Sequence, residues 1–170
     1  MRALLFRIIY FFVFFGTSTI AGMLIPFLQY KGFDPIQTGS LISLFTLSGL
    51  VGLFSIGYFC DKLKTIKKVL FPSLIITTIT GAIAILFNKG VVFYIGFFLM
   101  GLFNSMLGPL CDSWIMESSD DIKVKFGQLR AFGSVGWAFG VLIVGFVISN
   151  LGYKYVTFIY VGSLLVGIFC

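Results

Sequence analysis

Residues 91–140 read VVFYIGFFLMGLFNSMLGPLCDSWIMESSDDIKVKFGQLRAFGSVGWAFG, two apolar runs parted by one short charged turn. Taken to their polar ends, the runs cover 90–115 and 124–149. Each is about as long as a helix must be to cross a hydrocarbon core of roughly 30 Å. Neither shows the strict alternation of a barrel strand, so the expected spanning element is the helix. The turn between them, Glu117 to Lys125, is short enough to make the two helices antiparallel neighbours.

The same pattern extends in both directions. Further spans are expected at 5–30, 36–60, 68–88 and 154–170. They are joined by Lys31 to Pro35, Asp61 to Lys68, Asn88 to Gly90, and Asn150 to Lys154. The fold expected over residues 1–170 is therefore an all-α membrane bundle of six helices. The sixth run reaches Cys170 with no charged or aromatic anchor, so the chain reads as the front part of a longer protein. Met1-Arg2 and the small residues Thr17 to Gly22 superficially resemble a secretory signal. The apolar run continues to Leu28, well past a signal's core of about 7–15 residues, so an uncleaved first span is expected.

Composition supports this reading and removes other classes. Of the 170 residues, 59% are hydrophobic and 11% charged, against about 25% charged in ordinary soluble domains. The mean hydropathy is +1.09. The net charge of +6 reflects topology, not nucleic-acid binding, because the basic residues lie between the spans. One side collects Arg2, Arg7, Lys62, Lys64, Lys67, Lys68, Lys123, Lys125 and Arg130; the other has Lys31, Lys89 and Lys154. The basic side is the cytoplasmic one, which puts the N-terminus inside a multi-pass protein of the cell membrane. Cys60, Cys111 and Cys170 are scattered and histidine is absent, so neither a metal centre nor a cofactor is expected. An intramembrane protease would need a serine with a histidine or lysine base, and neither arrangement occurs, so no enzyme is expected.

Within the opening hairpin, Asp112 precedes Asp121 by nine residues and Arg130 follows it by nine. On antiparallel helices the two side chains then share a depth, about 13 Å from the turn. A lone charge at the centre of a span costs at least about 2.5–3.5 kcal/mol, so such groups face each other or a water-filled cavity. Trp137 is two turns after Arg130 on the same helix face. An indole there can stack on a sugar ring while the charges take its hydroxyls. The plainer alternatives are a structural ion pair and a packing tryptophan. Trp114, nearer the turn, reads as an interfacial belt residue. Thr17, Ser18 and Thr19 form a polar patch suited to a cavity wall. Pro26 and Pro109 are candidate kinks, and Gly49, Gly52, Gly136 and Gly140 candidate helix contacts.

Between the second and third spans stands Gly57-Tyr-Phe-Cys-Asp61-Lys62-Leu-Lys-Thr-Ile-Lys67-Lys68. It reads either as a charged loop obeying the positive-inside rule or as a gate latch. In the second case Asp61 holds an ion pair, Gly57 allows close helix contact, and Lys62, Lys67 and Lys68 supply the basic side.

This G-x-x-x-D-K loop resembles the signature loop of the major facilitator superfamily, although Lys64 stands where that family usually has glycine. The hairpin from Phe126 to Trp137 resembles the lactose permease-like oligosaccharide–proton symporters, with Asp112 in place of that group's glutamate. The resemblance runs from the first span to about residue 150. It implies two nested inverted three-helix repeats, substrate contacts through Asp112, Arg130 and Trp137, and proton-coupling groups in a second half of the protein. The partners expected are a small solute, protons, the lipid bilayer, and a C-terminal half or a second copy. A nucleoside, aromatic-acid or drug permease of the same superfamily is an alternative, as is a non-transporting oligomer.

Overall fold

The computed structural model describes residues 2–87 and 90–169, with Arg2 described in its backbone alone. Asn88 and Lys89 of the third connector, Met1 and Cys170 lie outside the described residues. Those residues form α1 (Arg2–Ala21), α2 (Leu24–Tyr30), α3 (Pro35–Leu63), α4 (Lys67–Leu86), α5 (Val91–Met116), α6 (Asp120–Lys123), α7 (Phe126–Leu151) and α8 (Val156–Phe169), with a 3-10 turn at Tyr153–Tyr155. Helices α1, α3, α4, α5 and α7 are long and apolar enough to cross a membrane, and α8 is a shorter apolar helix. In lipid the backbone finds no water, so the chain satisfies its amides within each helix.

Local chemistry sets the helix ends. The expected first span of 5–30 is two helices, because Pro26 has no N–H for the carbonyl of Gly22 one turn earlier and its ring crowds that carbonyl. The chain turns at Gly22 and Met23, whose amides donate to Ser18 O at 2.9 Å and Ile20 O at 3.1 Å. Asp34 caps α3: its carboxylate accepts from Gln37 N at 2.7 Å, Gln37 Oε1 accepts from Asp34 N at 3.2 Å, and Pro35 fills the first helical position. At its other end α3 runs beyond the expected 60 and keeps Asp61 and Lys62 helical. It stops at Lys64, in the left-handed region at φ 51° where glycine is the usual residue. The turn expected from Glu117 to Lys125 contains α6, which carries the Lys123–Asp120 pair at 3.0 Å.

Lys31 is a buried polar link. Its ammonium donates to the carbonyls of Ile85 and Phe87, closing the end of α4, where the helix dipole favours a cation. It is only 8% exposed, and burial lowers its pKa from the ordinary lysine value.

The packing follows an exchange rule. Helix α1 packs on α7 and α8, α5 packs on α3 and α4, and α4 meets α8. The first helix of each triplet thus embraces the second and third of the other, as in a pair of three-helix repeats related by a two-fold axis. Two expectations change. Trp114 is not an interfacial belt residue. It is buried in the core, edge-on to Phe6 at 4.9 Å and near Phe71 at 6.3 Å. Thr17, Ser18 and Thr19 do not line a cavity: they are buried, and their hydroxyls donate back to Val13 O, Phe15 O and Gly16 O of their own helix.

Candidate solute site

Asp112 and Arg130 meet. Arg130 Nη1 stands 3.5 Å from Asp112 Oδ2. A tight charged hydrogen bond has its atoms about 2.7–2.9 Å apart, so this pair is loose and can open. The Arg130 side chain is 61% exposed and that of Asp112 26%, so the guanidinium is the more accessible partner. Pro109, a turn before Asp112, denies its N–H to the Ser105 carbonyl and weakens α5 at this depth.

Tyr10, which the sequence reading did not single out, holds the second oxygen of the carboxylate. Its hydroxyl donates to Asp112 Oδ1 at 2.6 Å, and the residue is 1% exposed. Helices α5 and α7 touch little, and α1 carries Tyr10 against both. One carboxylate therefore joins three helices: a short bond to α1, a longer ion pair to α7, and its own backbone on α5. The ring of Tyr10 stacks on Phe14, 13° from parallel and 5.7 Å between centroids.

Phe14, Arg130, Ser134 and Trp137 line one open pocket of about 300 Å³. The positions Arg130, Ser134 and Trp137 are four and then three residues apart, one helix face, as the spacing indicated. Trp137 is partly exposed into this space. The pocket combines aromatic rings, a cation and a hydroxyl, and the Asp112 carboxylate stands 3.5 Å from the cation. That set suits a small polar ring with hydroxyl groups.

The loop residues occupy a second cleft. Gly57, Asp61, Lys64, Ser113 and Glu117 border it. Among the described residues Asp61 has no ion-pair partner, and a Cβ added at Gly57 would meet open space. The basic residues turn elsewhere. Lys62 lies over Tyr58 at 5.6 Å and Lys67 over Trp114 at 5.1 Å, while Lys68 lines an apolar groove.

Comparison with known proteins agrees with the helix arrangement. The sequence profile of the Major Facilitator Superfamily matches residues 7–170. The chain is similar to a maltose permease of Geobacillus stearothermophilus, 22% identical over 165 residues, covering 96% of this chain and 42% of that protein. It is also similar to the uncharacterized transporter YwbF of Bacillus subtilis (strain 168), 28% identical over 155 residues, covering 89% of this chain and 38% of that protein. The chain thus spans about two fifths of the length of these curated relatives. No solved structure gives a significant match. Both relatives carry the name of a permease or transporter and neither that of an enzyme. With its profile matched along nearly the whole sequence, this multi-pass helical chain belongs to the Major Facilitator Superfamily.

Proposed function

We propose that the chain forms the N-terminal half of a secondary transporter that moves a sugar or oligosaccharide by proton-coupled alternating access. The observation that carries this reading is one open pocket lined by Arg130, Ser134 and Trp137, with Asp112 paired to Arg130 and Tyr10 bonded to Asp112. An incoming hydroxyl donates to Asp112 Oδ2 and accepts from Arg130, replacing a loose contact with two directed ones, while Trp137 covers the apolar ring face. The maltose permease among the relatives supports the sugar class. The second half of the cavity and the proton-coupling groups belong to the remaining part of the protein.

The cleft at Gly57 and Asp61 is the proposed gate. Asp61 and the open surface of Gly57 await a partner outside this chain, and their engagement would hold one conformation. The N-terminus and both basic connectors lie on the cytoplasmic side of the cell membrane, by the positive-inside rule.

The test is thermal protection of the purified full-length protein by a panel of mono- and disaccharides, followed by proton-driven uptake of the best ligand in vesicles. Protection by at least one sugar, lost in Asp112→Asn and Arg130→Ala, is the expected result. No protection by any sugar, or protection retained in both variants, would overturn the reading.

A further inference from the structure

A separate site emerges on the opposite flank of the basic loop. Helices α3, α4 and α5 leave between them an apolar groove of about 560 Å³, within the roughly 300–1,000 Å³ range of small-molecule sites. Ser55 and Phe59 form one wall, Pro72 another, and Leu99 and Met106 the third, with Lys68 at the rim. We propose that this groove binds an anionic phospholipid, its acyl chain lying along α5 and its phosphate at Lys68.

Three features fix that occupant. The first is depth. From the end of α3 to Ser55 is about 12 Å of helix, so the α3 wall lies within one leaflet of about 15 Å. The groove then continues along α5 from Met106 to Leu99, about 15 to 25 Å from the end of that helix, so its apolar depth exceeds one leaflet and has the length of an extended acyl chain. Its lining is apolar below and its basic group stands only at the helix-end rim, the polarity of a lipid and not of a soluble ligand. The second is charge. Lys68 is exposed and lines the groove, whereas Lys64 borders the Asp61 cleft and Lys67 lies over Trp114, and a basic residue between helix ends is recognition chemistry for an anionic headgroup. The third is an acceptor. Pro72 has no N–H to give the carbonyl of Lys68 one turn earlier and its ring tilts that carbonyl away from the helix axis, so the oxygen lacks its usual intrahelical donor. A headgroup hydroxyl can donate to it. A phosphatidylglycerol-type lipid, with phosphate and glycerol hydroxyls together, matches both the lysine and the carbonyl. The proposal does not depend on the solute or on the transport reading.

The experiment is photo-crosslinking of the full-length protein, in bilayers, with phosphatidylglycerol and with phosphatidylcholine bearing the same diazirine acyl chain. Adducts are mapped by peptide mass spectrometry. The expected result is preferential labelling by phosphatidylglycerol of peptides containing 55–73 and 99–106. Lys68→Gln should lower that labelling about fivefold, the scale of one lysine near an anionic surface, while Lys125→Gln on the neighbouring turn leaves it unchanged. Ser55→Trp, which fills the groove from a partly exposed position, should remove labelling by both lipids. Equal labelling by the two lipids, or an equal response to Lys68→Gln and Lys125→Gln, would show only general attraction to the membrane surface and overturn the proposal. No labelling by either lipid would mean that protein covers the groove, which also overturns it.

Discussion

The α1–α7 seam and the α3–α5 seam are built from nearly the same parts. In the first, a side chain at Gly136 would run into the Phe11 carbonyl, and one at Gly140 into the Ser18 hydroxyl and the Phe15 carbonyl. In the second, Gly52 abuts the Leu102 carbonyl, Gly49 the Ser105 hydroxyl, and Gly101 the Ser48 hydroxyl and the Phe45 carbonyl. Both use glycine against backbone and serine, and each serine donates back to its own helix. They differ in what stands beside the contact. The first seam carries Tyr10, Arg130 and Trp137 next to its glycines, whereas α3 has no Asp, Glu, Lys or Arg between Pro35 and Cys60. Small residues set how closely two helices approach; the first seam adds an ion pair and a tyrosine–carboxylate bond beside that contact. The lone acid of α5 in this region, Asp112, turns toward the first seam.

The comparison breaks most sharply at its shared element. Gly136→Val and Gly52→Val should each cost about 3 kcal/mol of stability, since the obstruction is backbone and cannot swing aside. Unfolding midpoints in detergent should fall alike for both. Gly57→Ala meets open space in this structure, so in the conformation with the proposed gate cleft unengaged it should instead raise the midpoint by the equivalent of about 0.5–1 kcal/mol. A tolerant Gly136 beside an intolerant Gly52 would show that the seams are not equivalent.

The next effect separates the seams. Tyr10→Phe keeps the ring stack on Phe14 and removes the bond to Asp112, so sugar affinity in a binding titration should drop about tenfold, the scale of about 1.5 kcal/mol for a hydrogen bond to a charged group. Tyr160→Phe removes another buried hydroxyl bond, 2.7 Å to the Thr77 carbonyl. It should cost about 1 kcal/mol of stability and leave affinity unchanged. Equal affinity losses in the two variants would remove Tyr10 from the site. The smallest effect is at the end of α3. Lys64→Gly relieves a left-handed conformation and should stabilise by about 0.5–1 kcal/mol in a thermal melt, after the glycine's own chain entropy is counted.

Much of this was legible in the sequence because lipid enforces it. Long apolar runs with charged connectors leave helices as the only open element, and the positions of Asp112, Arg130 and Trp137 follow from helix geometry alone. What stayed hidden depends on rotation about each helix axis. A span that is apolar on every face gives no stripe from which to read its inward side. From the sequence Trp114 therefore reads as an interface residue, and Thr17 to Thr19 as a cavity wall. Tyr10 was lost for a related reason: it sits in a phenylalanine-rich run, and its partner is 102 residues away. The break of the first span had a visible cause in Pro26, but a proline announces a disturbance, not whether the helix bends or stops.

The lysine that closes α4 bears on how such a chain is mapped across its membrane. Amine-reactive probes added from outside count lysines on the accessible face. Lys31 and Lys154 are both expected there, yet Lys31 is buried and donates to two carbonyls while Lys154 is exposed. A silent Lys31 would therefore register as an inward-facing residue and reverse the apparent orientation of the first two spans. Lys154 is the reporter on which such a map should rest.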